Sequence, residues 1–442
     1  MKLQEWLEKG GAEGLGWLQL ENFPDTGRGV KTLRPLKFND VVLTIPGSFL
    51  WSVDAAFDDS VLGPTIRSVK PSLSVEDILA VFLLFIKSRQ EEYEGRGAHI
   101  KLLPTSYTMS VFFSDEELEV CSGSSLYHLT QQLKQQIKDD YFHLLNNLFS
   151  KHPDLFPLEK FTQNDYMWAL CSIWSRGMDF QLPDKQFRCI APFADMLNHS
   201  PDVQLCHIYN PRSDSLQVLA GKDYTIGEQV FINYGPVPNN RLLRLYGFIL
   251  LNNPYDSYDL VLTTHHGAPL YDQKIALLES AGLQVNATFS LKLSDPLPLD
   301  VLRYLRIQRL LSSEISTMNV NRGAKNIVCA RNEAEILKAL IEAFEGLLAK
   351  FGTPLEDLEA KISSNIYKQS DNVWAAAHVS IGEQRILRMA LQKTRELLAL
   401  IICAQCGKVD EDNKRCARCR RVVYCGRDCQ KTHYKEHKFV CN

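Results

Sequence analysis

At 442 residues the chain is too long for one compact core, so two or three domains are expected. Apolar residues make up 45% and charged residues 23%, an ordinary globular profile, and the longest apolar run, Ile78 to Ile86, is far too short to cross a bilayer. Glu5 and Glu8 fall where a signal peptide needs unbroken apolar sequence, so the chain is expected inside the cell, in the cytoplasm, the nucleus or both, with no membrane partner. The net charge of −3 hides an asymmetry: from Cys403 onward ten Lys and Arg face five Asp and Glu, leaving a body of about −8. A surplus of +5 in that tail is modest; it offsets thiolate charge as readily as it touches nucleic acid, and nucleic acid is not expected as a partner.

Along the chain, the first sixty residues mix turns with short β-like runs. Gly27-Arg28-Gly29 reads as a turn, Val41 to Ile45 as a strand, and Pro46-Gly47 as its end. Ser74 and Asp77 form a capping-box-like start to an apolar helix through about Ile86, and helical patterns continue through about Trp174. Next, in Ala191 to Ser200, a polar cluster of Asp195, Asn198 and His199 follows directly on an apolar run. Such a pair as Asn-His fits a core element when both members are hydrogen-bonded; a satisfied buried turn is the plain alternative. Leu216 to Ala220 reads as a strand, Gly227-Glu228 as a turn, and Gln229 to Tyr234 as an alternating strand closed by Gly235-Pro236. From about Pro298 to Leu400 the pattern is helical: Asn332 can cap a helix presenting Ile336, Leu340, Phe344 and Leu348 on one face, and Leu355 to Ile362 and Glu383 to Leu400 read as further helices.

Seven of the twelve cysteines lie in the tail, and the remaining five (Cys121, Cys171, Cys189, Cys206, Cys329) read as buried small hydrophobes. The tail runs Cys403-x2-Cys406-x9-Cys416-x2-Cys419-x5-Cys425-x3-Cys429-x7-His437-x3-Cys441. Eight S and N ligands fill two closed tetrahedral zinc sites with no position left for water, so both zinc ions are structural. A disulfide cluster is the competing reading, and an intracellular chain disfavours it. With Tyr424-Cys425 and Cys429-Gln430 in place, the spacing resembles a MYND finger. That resemblance implies that Cys403, Cys406, Cys425 and Cys429 hold one zinc, that Cys416, Cys419, His437 and Cys441 hold the other, and that His433 holds neither. It also implies a proline-containing peptide as partner, although Tyr434 stands where the family commonly has Trp.

The order Gly27-Arg28-Gly29, Arg176, Asp195-Met-Leu-Asn198-His199-Ser200, then Gly227-Glu228 through Tyr234-Gly235 resembles a SET domain. More narrowly it is similar to the class of the Rubisco large-subunit methyltransferase, in which a long helical insert splits the SET fold. Leu297-Pro298-Leu299, Leu302 to Arg306 and Gly382 to Leu387 are similar to that class's helical substrate-binding domain. The implied fold is α+β: a β-rich SET domain over 16–235 with a helical insert at about 60–165, a helical substrate-binding domain over 245–400, and a small two-zinc MYND finger over 403–441. Here the finger follows the helical domain, whereas in SET-and-MYND proteins it interrupts the SET domain.

The resemblance implies a protein-lysine N-methyltransferase that uses S-adenosylmethionine, with the finger recruiting a partner. Thr26, Gly27, Arg28, Asn198, His199 and Phe248 would contact the cofactor, and Arg176 its carboxylate. Tyr234 would align methyl donor and amine, while Asp195 and Tyr246 would line the acceptor channel. Actin-histidine methyltransferase, a relative of this class, has Trp before the motif's Asp, where this chain has Ala194. It also places an Asn after the arginine, where this chain has Gly177-Met178; both differences favour a lysine acceptor. Two other readings stand beside this one: an inactive SET/MYND scaffold, and a protein-histidine N-methyltransferase.

Overall fold

The computed structural model of the protein describes residues 2–182, 186–315 and 326–441. Its contacts divide them into two compact units. One comprises the chain up to Ser114 and Leu129–Pro254; the other comprises Asp115–His128 and the chain from Tyr255 onward.

The first unit is built on three small sheets. Strands β1 (Leu18–Phe23) and β2 (Gly27–Thr32) form a hairpin, so the glycine-rich segment read as a turn is itself the second strand, and the reversal lies before Gly27. Strand β3 (Val41–Pro46) buries Val42, Leu43 and Ile45. It is followed by β4 (Trp51–Ser52), β5 (Gly177–Gln181), β6 (Gln186–Ile190), β7 (Asn198–His199), β8 (His207–Asn210), β9 (Ser215–Leu219) and β10 (Gln229–Ile232). The sheets run β1-β2-β10-β7, β3-β9-β8 and β4-β6-β5. Within the first, β10 pairs antiparallel with β2 and parallel with β7, which sets Phe231 beside Asn198 and Ile232 beside His199. Strand β10 stops at Ile232, so Tyr234 lies just beyond the strand it was read as ending. Asn233 explains the stop: its amide donates to Val203 O and its Oδ1 accepts from Gly235 N, turning the chain out of the ladder.

Between β4 and β5 the chain makes a helical core of its own. Helix Val75–Ser88 is capped by the Ser74–Asp77 box and buries every residue from Asp77 to Ile86, as expected of a helix apolar all round. Helix Gln163–Arg176, capped by Thr162 and Asp165, ends on Arg176 and passes directly into β5 at Gly177. A Cβ at Gly177 would stand 2.5 Å from Ile173 O, so this abrupt helix-to-strand passage requires glycine.

The second unit is largely helical, but an antiparallel pair, β11 (Tyr258–Thr263) and β12 (Asn286–Leu291), interrupts the region read as a helical domain. Its alternating Tyr, Leu and Leu against Asp, Val and Thr suit a half-buried strand. Helix Ala330–Leu348 buries Ile336, Leu340 and Phe344, and Leu348 is half-buried. Its N-cap is Cys329, whose sulfur accepts from Asn332 N; Asn332 sits in the first turn with its amide on Arg306 O, so it is not the cap. Helix Asn372–Leu398 begins well before Glu383, and Leu355–Ser363 packs beside it in an apolar cluster with Ala377 and Ile381. Cys121, Cys171, Cys189 and Cys206 are buried and Cys329 is half-buried. Among the described residues no helix is long and apolar enough to cross a membrane.

Candidate active site and metal centres

Arg176, at the end of its helix, and Asp195, on a one-turn helix (Ala194–Met196), meet at the centre of the first unit. Phe193 enters that turn at φ 72°, a left-handed conformation unusual for an aromatic residue and of the strained kind that clusters at functional sites. Arg176 Nη1 donates to Asp195 Oδ2 at 3.1 Å and to Asp195 O at 2.8 Å. His99, fully buried, lies with Nε2 3.2 Å from both Asp195 carboxylate oxygens, while its Nδ1 accepts from Trp51 Nε1 at 2.9 Å. That accepting Nδ1 fixes the tautomer: Nε2 carries the proton and donates to Asp195. Burial alone would push the Asp195 carboxyl up, but His99 and Arg176 outweigh it and hold the group below the usual carboxylate range. Burial likewise opposes the charge on Arg176, and Asp195 with Tyr107 and Tyr234 reverses the effect.

Two clefts meet at this pair. One, of about 310 Å3, is lined by Thr26, Arg28, Tyr107, Asn198 and Phe248; the other, of about 300 Å3, by Met178, Phe180, Leu197, His207 and Ile232. Arg176, Asp195, Tyr234 and Tyr246 belong to the walls of both. Tyr234 stacks on Tyr246 (ring centroids 4.9 Å apart, 25° between planes) and on His199 (4.9 Å, 21°). Its hydroxyl donates to Leu197 O at 3.1 Å, and its backbone N–H donates to His199 Nδ1 at 3.1 Å. Burial raises both the Tyr234 and Tyr246 phenols above their ordinary value, so both stay protonated.

The first cleft is held together by Asn198, whose Nδ2 donates to Arg28 O at 3.1 Å and Gln229 Oε1 at 2.8 Å and reaches Thr26 O at 3.4 Å. A Cβ on Gly29 would meet Gln229 Oε1 at 2.5 Å and Asn198 Nδ2 at 2.8 Å, so glycine lets this bridge close. Burial, and then the charge of Arg176, lowers the Arg28 pKa, which marks the cleft as short of negative charge. Gly27 and His199 stand outside the lining: Gly27 starts β2 at φ 66°, and His199 backs Tyr234. Sequence reading missed His99 and the loop Pro104 to Thr108, which brings Tyr107 to the cleft and hydrogen-bonds it to Ser172 at 2.7 Å. His99 lies 96 residues from Asp195 and no local pattern announces it.

In the tail the ligand atoms of Cys403, Cys406, Cys425 and Cys429 gather within 4.8 Å of one another, and those of Cys416, Cys419, His437 and Cys441 do the same. The spacings Cys406–Cys425 (3.6 Å), Cys425–Cys429 (3.6 Å) and Cys416–Cys441 (3.7 Å) are far beyond a disulfide, and close to the ~3.8 Å sulfur–sulfur edge of a tetrahedron with Zn–S bonds of ~2.3 Å. Burial resists ionisation of Cys403, but backbone N–H groups, Cys406 first, bring its thiol down to about 6. The N–H of Cys419 leads a similar effect on Cys416, also to about 6. Four-fold and closed, both sets fit structural zinc. His433 faces Tyr424 instead (Nδ1 to OH 2.9 Å), and Tyr434 is exposed.

Fold and site together define a SET domain with a split, helix-bearing insert, a helical second unit and a two-site zinc finger. Family models match accordingly: the SET domain over 27–235, the Rubisco LSMT substrate-binding domain over 265–387, and the MYND finger over 403–441. Three domain models thus cover the chain in turn: a SET domain, a Rubisco LSMT substrate-binding domain and a C-terminal MYND finger. It is 29% identical over 388 residues (84% of this chain, 78% of the relative) to the fructose-bisphosphate aldolase-lysine N-methyltransferase of Arabidopsis thaliana. It is 26% identical over 410 residues (89% and 68%) to the actin-histidine N-methyltransferase of Xenopus tropicalis. Among solved structures, the SET domain of LSMT bound to lysine and AdoHcy superposes with a TM-score of 0.75 at 24% identity, covering 89% of this chain and 90% of that one. Rubisco LSMT bound to sinefungin and monomethyllysine superposes with a TM-score of 0.73 at 25% identity, covering 89% and 92%.

Proposed function

We propose that the protein is an S-adenosylmethionine-dependent protein-lysine N-methyltransferase whose MYND finger recruits a proline-containing peptide partner. The observation that carries the reading is the wall of Arg176, Asp195, Tyr234 and Tyr246 shared by two clefts. An in-line methyl displacement needs a donor on one side of such a wall and an acceptor on the other.

The polar cleft fits the cofactor. Arg28 and Arg176 supply positive charge for its carboxylate, and Arg176 Nε is a buried N–H with no partner among the described residues. Thr26 and Asn198 offer backbone and side-chain polar groups, Phe248 an aromatic face, and His199, outside the lining, the stack that holds Tyr234. When bound, S-adenosylmethionine supplies an activated methyl group on a sulfonium. The chain's own task is then alignment and a neutral amine. A lysine ammonium, with a solution pKa of ~10.4, is pushed toward the neutral form by the burial that raises the phenols around it. Its proton therefore leaves to solvent before attack, and Tyr234, protonated, aligns the amine as a hydrogen-bonding group. Asp195 orients Arg176 and closes the floor of the acceptor side.

The acceptor wall after Arg176 is Gly177 and Met178, which offers no side-chain amide to an imidazole, and Ala194 is small and buried; both support lysine. The match to actin-histidine methyltransferases over 89% of the chain favours histidine as the second reading. Incubating the protein with labelled cofactor and cell extract, then mapping the labelled residue by mass spectrometry, separates the two. Labelled lysine is expected; labelled histidine replaces the reading, and a protein that binds no cofactor is a scaffold.

A further inference from the structure

The acceptor cleft shares Gly177, Asp179 and Tyr246 with a neighbouring cavity of about 400 Å3. Helix Asn239–Leu245, which leads directly into Tyr246, places Arg241 and Arg244 in its wall, and Arg188 also faces it. The carboxylates there are Glu76 and Asp179, and both are already engaged. Arg188 Nε and Nη2 bind Asp179 at 2.7 and 2.8 Å, while Glu76 takes Arg188 Nη1 on one oxygen and Trp174 Nε1 on the other at 3.1 Å. Among the described residues the side chains of Arg241 and Arg244 have no ion pair or hydrogen bond, although Arg244 is half-buried. Burial, and then the like charge of Arg241, holds the Arg244 pKa below its ordinary value. A cation drawn out of water without an anion of its own is a cost that an incoming carboxylate relieves, and the arginine fork suits that group.

We propose that this cavity is a specificity subsite in which Arg244 and Arg241 take the carboxylate of an Asp or Glu lying a few residues from the acceptor lysine. The assignment rests on the lysine-methyltransferase reading, and it names the substrate class: a protein segment with an acidic residue flanking the target. Glu76, Asp179 and Arg188 also line the cavity, and their network carries a net charge of −1 against the +2 of Arg241 and Arg244.

The test uses the full chain and peptides of neutral sequence around one lysine, with Glu placed in turn at each flanking position. At one or two positions Glu should raise kcat/KM about tenfold, what one charge-assisted contact in a half-buried site contributes. The advantage should shrink with salt and fall to near unity in Arg241→Gln and Arg244→Gln, while Arg244→Lys keeps part of it. Since Arg241 is exposed, its variant reports even where Arg244→Gln folds poorly. Binding of the same peptides by fluorescence polarisation, with S-adenosylhomocysteine present, judges the subsite without turnover. No methylation of any lysine peptide, with the acidic peptides still bound more tightly, overturns the enzyme reading and keeps the subsite. Equal binding of acidic and neutral peptides, or a preference that survives both Gln variants, overturns the subsite. So does a gain from phosphoserine with none from Glu or Asp.

Discussion

The Tyr234 hydroxyl donates to Leu197 O at 3.1 Å from a ring held between His199 and Tyr246. Tyr234→Phe keeps both stacks and loses one hydrogen bond, about 1 kcal/mol of stability. If the hydroxyl aligns donor and amine, methyl transfer should fall by a factor of ~10²–10³ with cofactor affinity nearly intact. Paired calorimetry and rate measurements decide this, and a normal rate would remove Tyr234 from the catalytic role. Arg176→Ala should weaken cofactor binding by ~1.5–3 kcal/mol, and the structure adds a second cost. With Asp195 left buried beside His99, breaking the pair should destabilise the fold by ~3–5 kcal/mol, measurable by denaturant titration. Arg176→Lys, which keeps the charge, should recover much of the stability and little of the cofactor affinity.

The same groups set an acid limit. Asp195 titrates below its unfolded value of ~3.9 because His99 and Arg176 outweigh burial, so its contribution is present above that pH and lost as pH falls through the folded value. Burial pushes His199 and His207 down, so the unfolded chain binds their protons first, and stability is lost as pH drops below ~6.5. Melting temperature should therefore decline in two stages on acidification. His199→Gln should flatten the upper stage; a melting curve indifferent to pH between about 7.5 and 5.5 (one unit either side of the histidine value) would count against it.

At the scale of elements, the finger is held by its ligands: its buried cluster is Cys403, Cys416, Tyr424 and Cys441, too small a core to stand without metal. Elemental analysis should give two zinc ions per chain, and strong chelation should unfold the segment from Cys403 onward. One zinc or none would contradict the closed sites. In the second unit, helix Leu299–Gln308 is locked to helix Ala330–Leu348 by Arg306 and Glu333, a buried bidentate pair at 2.8 and 2.8 Å. Glu333→Ala should cost ~3–5 kcal/mol because it strands the arginine, whereas replacing both residues by apolar ones of similar size should cost far less. Denaturant titration of the single and double variants separates the two outcomes.

For the whole molecule, a chain that binds cofactor must be stabilised by it. S-adenosylhomocysteine at about 100 times its Kd should add ~2.7 kcal/mol, read as a rise in melting temperature, and a scaffold should show no shift. The zinc ligands and the Asp-x-x-Asn-His segment were legible in the sequence because ligand spacing and motif order are local properties of the chain. The capping box at Ser74 and the buried run to Ile86 were legible for the same reason. Less local features escaped: Asn332 looked like a cap, but its amide is drawn to Arg306 O, and β11 and β12 stand in a region whose neighbours read as helix. By itself the sequence determined the SET and MYND resemblance, the eight metal ligands and the identity of the cleft arginine and tyrosine. Tertiary structure alone decided that His99 holds Asp195, that Arg176 is shared between that carboxylate and the cleft, and that Arg241 and Arg244 have no anion among the described residues. Those relations join residues far apart in the chain, and burial and charge are settled by what the fold brings next to each group.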